Sequence, residues 1–222
     1  NIEIYSIFLW REWERKFKKN TLKKILHFFS YLFHPIFIPL FGTFFYVLIN
    51  DSYFSFYQHL VLFIQIIIIT ILLPVAFFYL LRTFGKVDNI MLSDISQRKI
   101  PLLLQIMLLS ILIVKSITID KFPELFYFLF GGLLSAIFAF GLLFLKVKSS
   151  IHMIGMSALT VFIIGLSIHS QINIINTVMF FVVMNGFVAS SRLEMKAHSK
   201  KELLIGFLCG IIPQLVLLYF WL

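Results

Sequence analysis

Long apolar runs separated by short polar segments organise the chain, at residues 25–49, 60–81, 100–119, 125–145, 153–168, 172–189 and 203–222. Each is near the roughly 17 to 25 residues that a bilayer-spanning helix needs. The pattern therefore predicts an all-α polytopic membrane protein of about seven helices, six to seven of them spanning. The third and fifth runs are the weakest. Lys115 interrupts the end of the third and, near Asp120 and Lys121, is placed to snorkel to the interface. Pro35, Pro39, Pro74 and Pro213 fall inside runs; membrane helices accept proline when neighbours satisfy the freed backbone groups, so kinks rather than breaks are expected. Gly131-Gly132 and Gly206 to Gly210 read as positions where helices approach closely.

Ahead of the first run, residues 1–24 read differently from the rest. Arg11, Arg15, Lys16, Lys18, Lys19, Lys23 and Lys24 follow an apolar start, and Trp10, Trp13 and Phe17 recur at helical spacing. An interfacial amphipathic helix fits that pattern, as does a solvated basic leader. The expected organisation is this N-terminal segment, with a possible protein-docking role, followed by one helical membrane domain over residues 25–222. The apolar stretch at residues 4–10 is short and runs into charges, unlike a cleavable signal peptide.

Counting crossings sorts the polar segments by face. Residues 82–99, 146–152 and 190–202 follow the second, fourth and sixth runs, so all three emerge on the side of the N-terminal segment. Of the 19 lysines and arginines, 7 lie in that segment and 10 in these loops, leaving Lys115 and Lys121 for the other side.

Composition agrees with the membrane reading. Hydrophobic residues make up 60% of the chain, charged residues 13%, and the mean hydropathy is +0.99, far from a soluble domain. A net charge of +9 in so apolar a chain points to anionic headgroups or an anionic substrate, and no nucleic-acid motif is present. Cys209 is the single cysteine, which leaves no disulfide framework and no thiol metal site.

The chemistry concentrates at residues 190–202, where Arg192, His198 and Glu202 stand together. His198 and Glu202 are four apart, which on a helix puts them on one face. A carboxylate there holds one imidazole nitrogen and leaves the other free and basic. Arg192 offers a planar cation for a phosphate or carboxylate. The other two loops add Arg98 and Lys99, then Lys146, Lys148, Ser149, Ser150 and His152. Two histidines and several cations at one face suit phosphoryl transfer, in which one imidazole attacks phosphorus, another protonates the leaving oxygen and arginines offset charge. Zinc fits this set less well, because thiolates are missing and the histidines sit amid cations; no metal or other cofactor is expected.

Ser191-Arg192, five residues and then His198 resemble the third signature motif of the type-2 phosphatidic acid phosphatase superfamily, which includes lipid phosphate phosphatases and vanadium haloperoxidases. Ser150-Ile151-His152 resembles its second motif, Pro-Ser-Gly-His, with Ser149 in place of the proline and Ile151 in place of the glycine. The first motif is matched least. Arg98 has Pro101 three residues on rather than adjacent, and Met91 stands where a lysine is expected, with Lys99 or Lys86 as substitutes. The resemblance covers residues 98–222 and departs from the best-known members in the hairpin at residues 100–145. It implies His198 as the nucleophile that becomes phosphohistidine, His152 as the acid for the leaving group, and Glu202 as the orienting carboxylate. Arg192, Arg98, Ser150, Lys148 and Lys99 would then bind phosphate.

These expectations amount to a lipid phosphate or lipid diphosphate phosphatase of a bacterial inner membrane, with membrane lipids as partners. The altered motifs leave a second class open, a non-catalytic family member serving as a subunit of a larger membrane complex. A transporter would need ionisable residues at mid-membrane, and the runs are nearly free of them. The positive-inside count places the basic face in the cytoplasm, whereas bacterial members of the family commonly work on the periplasmic side. Lys196, Lys200 and Lys201 read as topology determinants, and His27, His34, His59 and His169 as structural histidines.

Overall fold

The computed structural model describes residues 21, 23–50, 55–87 and 95–222. The amphipathic helix expected around Trp10, Trp13 and Phe17, and the position of Met91, lie outside the described residues. Among the described residues there are eight helices and no strand. They are α1 (Lys23–Leu32), α2 (Ile38–Ile49), α3 (Phe56–Thr83), α4 (Ile95–Lys115), α5 (Pro123–Phe144), α6 (Ile151–His169), α7 (Ile175–Glu194) and α8 (Lys200–Leu218). Five of these, α3, α4, α5, α6 and α8, are long and apolar enough to cross a membrane, and α1 with α2 would make a sixth. The fold is that of an all-helical polytopic membrane protein.

The first apolar run is broken, not merely kinked. Pro35 has no N–H and its ring pushes the preceding residue out of the helical region, so His34 is extended at φ −64° and ψ 139°. A 3₁₀ turn over Pro35–Phe37 follows, and the chain re-enters a helix bent by 40° from α1. In α3 the helix widens into a π turn over Ile68–Leu72 just before Pro74. That turn opens the ladder where the proline ring would otherwise meet the Thr70 carbonyl.

Helix α6 is the centre of the molecule. Leu159, Phe162, Ile163 and Leu166 are fully buried, and α6 packs on α2, α5, α7 and α8, which explains why it is apolar all round rather than on one stripe. The expected glycine contacts are largely present. A side chain at Gly206 would run into the Ser150 backbone, and one at Gly210 into Ser157 and the Ile154 carbonyl, so α8 lies directly on α6. Gly131 likewise faces Gln214, whose Nε2 donates to the Phe128 carbonyl at 2.8 Å. Gly132 is different, because nothing lies within 4 Å of where its side chain would be.

Helix α7 spans 20 residues, about 30 Å, yet Asn176, Asn185 and Arg192 dilute its apolar character. It nevertheless returns the chain across the bundle, since His152 at the start of α6 and Arg192 at the end of α7 line the same cavity. The ends of α6 and α8 and the start of α5 meet at the other extremity. There His169 Nε2 lies 3.2 Å from Glu124 Oε1, and the rings of His169 and Trp221 are 5.6 Å apart.

Candidate functional site

Two loops of similar construction bring the chemistry to one end of the bundle. Helix α5 closes with the Val147 N–H donating to the Leu142 carbonyl at 2.9 Å, and α7 with the Ala197 N–H donating to the Arg192 carbonyl at 3.1 Å. Each closure puts a lysine in the left-handed region, Lys146 at φ 57° and Lys196 at φ 50°, as a Schellman cap requires. Gln171 does the same at φ 53° at the opposite end, so this geometry is a turning device and not a mark of the site. The two turns lie side by side: Lys148 Nζ donates to the Ala197 carbonyl at 3.0 Å, and the Ser150 N–H to the Glu202 carbonyl at 3.2 Å. Gly206 permits that approach.

His198 reaches Glu202 by a route other than a shared helical face. Helix α8 starts at Lys200 with Ser199 as its N-cap, so His198 stands just outside it. Ser199 and Glu202 form a reciprocal capping box: the Glu202 N–H donates to Ser199 Oγ at 3.3 Å, and the Ser199 N–H to Glu202 Oε2 at 3.1 Å. The same Oε2 lies 2.9 Å from His198 Nδ1. Burial drives the His198 pKa down to about 4, offset by the hydrogen bond to Glu202 and reinforced by Arg98, Lys148 and Arg192. The ring is therefore neutral near pH 7, with its proton on Nδ1 toward the carboxylate and the Nε2 lone pair free. Burial, then Arg98, pushes the Lys148 ammonium below its ordinary range, with Glu202 acting in the opposite sense.

A cavity of about 450 Å³ receives this ring, with Arg98, His152, Arg192 and His34 on its polar end. Arg98 is buried in the first turn of α4, where Nη1 donates to the Ser149 carbonyl at 3.2 Å. Arg192 is buried in the last turn of α7, and its Nη1 donates to Ser30 Oγ of α1 at 3.1 Å. Among the described residues, Arg192 Nε, His152 Nε2 and Ser150 Oγ are buried without a hydrogen-bond partner. Of these, Arg192 and His152 line the cavity, and the unpaired Arg192 N–H carries a desolvation cost that an anion bound there would offset.

The rest of the cavity is mostly apolar, with the Gln105 amide on its α4 wall, and runs away from this end. Phe78 of α3, Leu102 and Leu109 of α4, and Gly132, Ala136 and Ala139 of α5 line it. From Arg98 to Leu109 the wall extends about 16 Å along α4, roughly half of a ~30 Å hydrocarbon core. The second half of α3 is mostly exposed, and it is this loosely packed element that leaves the groove open beside α4 and α5.

Not every expected residue arrives at the cavity. Lys99 is exposed, points away from the wall and sits over the Phe144 ring at 5.4 Å; the helix begins at Ile95 rather than after Lys99, which turns adjacent side chains to different faces. Lys86 is exposed as well and lines nothing. Lys148, Ser150 and Glu202 stand behind the wall instead of on it. His34 and Ser30 were not expected at the site and are there. The His34 ring meets His152 edge-on, with centroids 5.0 Å apart. The signal for both was the His34-Pro35 dipeptide inside an otherwise apolar run. Among the described residues, no three histidine, cysteine or carboxylate groups lie together as metal ligands would.

The chain matches no family model, no curated protein and no solved structure.

Proposed function

We propose that this protein is a lipid phosphate or lipid diphosphate phosphatase that works through a phosphohistidine, as its resemblance to the type-2 phosphatidic acid phosphatase superfamily implies. One observation carries the reading: a neutral imidazole, His198, with Nδ1 held by Glu202 and Nε2 free, shares a cavity wall with a second imidazole and two buried arginines. In the proposed reaction the Nε2 lone pair of His198 attacks phosphorus and the bond to the leaving oxygen breaks. Glu202 stabilises the charge that develops on the ring, and Arg98 and Arg192 offset that on the phosphoryl oxygens. His152, protonated beside the bound anion, hands its proton to the leaving oxygen; water then attacks the phosphohistidine and gives a proton to His152 as the phosphorus–nitrogen bond breaks and inorganic phosphate leaves.

The apolar groove continuous with the polar end supports a phosphate carried on a hydrocarbon chain over a water-soluble ester. A bacterial cytoplasmic membrane is the setting the resemblance implies. The test is release of inorganic phosphate from a panel of lipid phosphates by the purified chain in detergent with EDTA present. Release that persists in EDTA and is lost in His198→Ala supports the reading. A folded wild-type protein that releases phosphate from no lipid refutes it.

A further inference from the structure

The break in the first apolar run places a histidine, and its chemistry is legible from its surroundings. Pro35 forces residue 34 into an extended conformation, so the side chain there caps the following 3₁₀ turn: the Ile36 N–H donates to His34 Nδ1 at 3.4 Å. A nitrogen that accepts carries no proton, so the neutral ring bears its proton on Nε2. The ring is half-buried and lines the same cavity as Arg98, Arg192, His152 and His198. His152, against which it packs, has a buried Nε2 without a partner. The Ser30 hydroxyl of α1, four residues before His34 in the chain, holds Arg192. Helix α1 and its break thus supply two polar groups to a site otherwise built from α4, α6, α7 and the turn before α8.

We propose that His34 is a phosphate-binding residue, its Nε2–H donating a hydrogen bond to an oxygen of the phosphate held by Arg98 and Arg192. The inference rests on the phosphate-transfer reading of the cavity and adds to it a ligand outside all three motif segments. A neutral donor suits this position. Two guanidinium groups already face the anion and the proposed reaction adds a protonated His152 in its turn, so a further permanent cation in the same desolvated space would repel them. The neutral imidazole contributes direction and a hydrogen bond without added charge.

Two isosteric substitutions separate this role from simple capping. His34→Asn places a carbonyl oxygen where Nδ1 is, keeping an acceptor for the Ile36 N–H and a residue favoured at caps, but removes the donor at the far side of the ring. His34→Gln places an amide N–H near the position of Nε2 and gives up the cap. Binding of inorganic phosphate to the full chain in detergent is measured by calorimetric titration, alongside the thermal midpoint. His34→Asn is expected to bind phosphate about tenfold to a hundredfold more weakly at an unchanged midpoint, the range for a hydrogen bond to a charged group. His34→Gln is expected to stay within about threefold of wild type. The reverse order, with Asn like wild type and Gln impaired, overturns the proposal in favour of a capping role, and phosphate affinity unchanged in both overturns it outright. Where wild type turns over lipid phosphate and only the His34 variants are indifferent, this inference alone falls. A wild type that neither binds nor releases phosphate removes both it and the proposed function.

Discussion

Glu202 Oε2 accepts hydrogen bonds from two directions, the Ser199 N–H at 3.1 Å and His198 Nδ1 at 2.9 Å. One carboxylate therefore caps α8 and orients the candidate nucleophile. The two jobs separate by mutation. Ser199→Ala removes the N-cap hydroxyl and is expected to cost about 1 kcal/mol of stability while leaving phosphate release close to wild type. Glu202→Gln keeps a capping-box residue but replaces the carboxylate that balances charge on the imidazole. Its expected signature is an unchanged thermal midpoint with kcat lowered by roughly ten- to a hundredfold, of the size seen when an orienting partner is lost. Equal loss of stability in both variants, with activity following stability, would show that the carboxylate serves the helix alone.

The protonation of His198 gives a prediction that needs no substrate. Its pKa is held near 4 instead of the usual 6.5, chiefly by burial. Histidine side-chain NMR of the empty protein, with the His198 signal assigned by its loss in His198→Gln, should show a neutral ring at pH 5.5. The linkage has a definite sign. Between about pH 6.5 and 4 the unfolded histidine takes up a proton and the folded one does not, so this residue makes the fold less stable as pH falls through that window. Below about 4 its effect is constant. The thermal midpoint of wild type should therefore drop more steeply across that window than that of His198→Gln. A midpoint of titration near 6.5 would mean that the ring is solvated rather than buried.

The groove makes a separate prediction about chain length. Nothing lies within 4 Å of a side chain added at Gly132, and that position lines the apolar wall. Gly132→Leu should fold, since replacing an interior helical glycine with leucine favours the helix by about 0.5–1 kcal/mol, and should fill the space a hydrocarbon tail would use. Release from a long-chain phosphate is expected to fall by more than about tenfold, given the ~0.8 kcal/mol carried by each buried methylene. A short water-soluble phosphate ester should react as it does with wild type. Equal effects on both would place the tail elsewhere.

Most of the fold was readable because apolar run length maps directly onto membrane helices, and the parity of the runs brought Arg98, His152, Arg192 and His198 to one end without any structural information. What misled was local. Four-residue spacing suggested a shared helical face for His198 and Glu202, yet Ser199 followed by Glu202 is a capping-box pattern, and it puts the histidine outside the helix. Helix bounds drawn at the edge of apolar character missed polar first and last turns, so Lys99 was grouped with Arg98 although consecutive helical residues point apart. A lone histidine in an apolar run reads as structural, whereas the proline after His34 forces the break that brings its ring to the cavity. Gly132 could not be told from Gly131 by composition, because only tertiary neighbours distinguish a glycine that admits another helix from one that leaves a space.

The contact between α6 and α8 sets the spacing of the two loops, and its weakest point is Gly210. A side chain there would meet the Ile154 carbonyl and the Ser157 hydroxyl, and Ser157 Oγ already donates across the interface to the Phe207 carbonyl at 3.0 Å. Backbone on both sides cannot yield cheaply, so Gly210→Ala should lower stability by about 1–3 kcal/mol, the range for overpacking a tight interface. Because α8 carries Glu202 and α6 carries His152, separating the helices also loosens the bond from the Ser150 N–H to the Glu202 carbonyl and shifts the orienting carboxylate relative to His152. Activity should therefore fall further than the folded fraction alone accounts for, which a comparison of phosphate release with the thermal midpoint measures directly. Gly132→Ala, on a glycine of the same chain with open space beside it, is the matched control and should lower neither, gaining at most the ~1 kcal/mol that alanine brings to a helix interior. A Gly210→Ala protein as stable and active as that control would mean that α6 and α8 are not as closely apposed as this geometry requires.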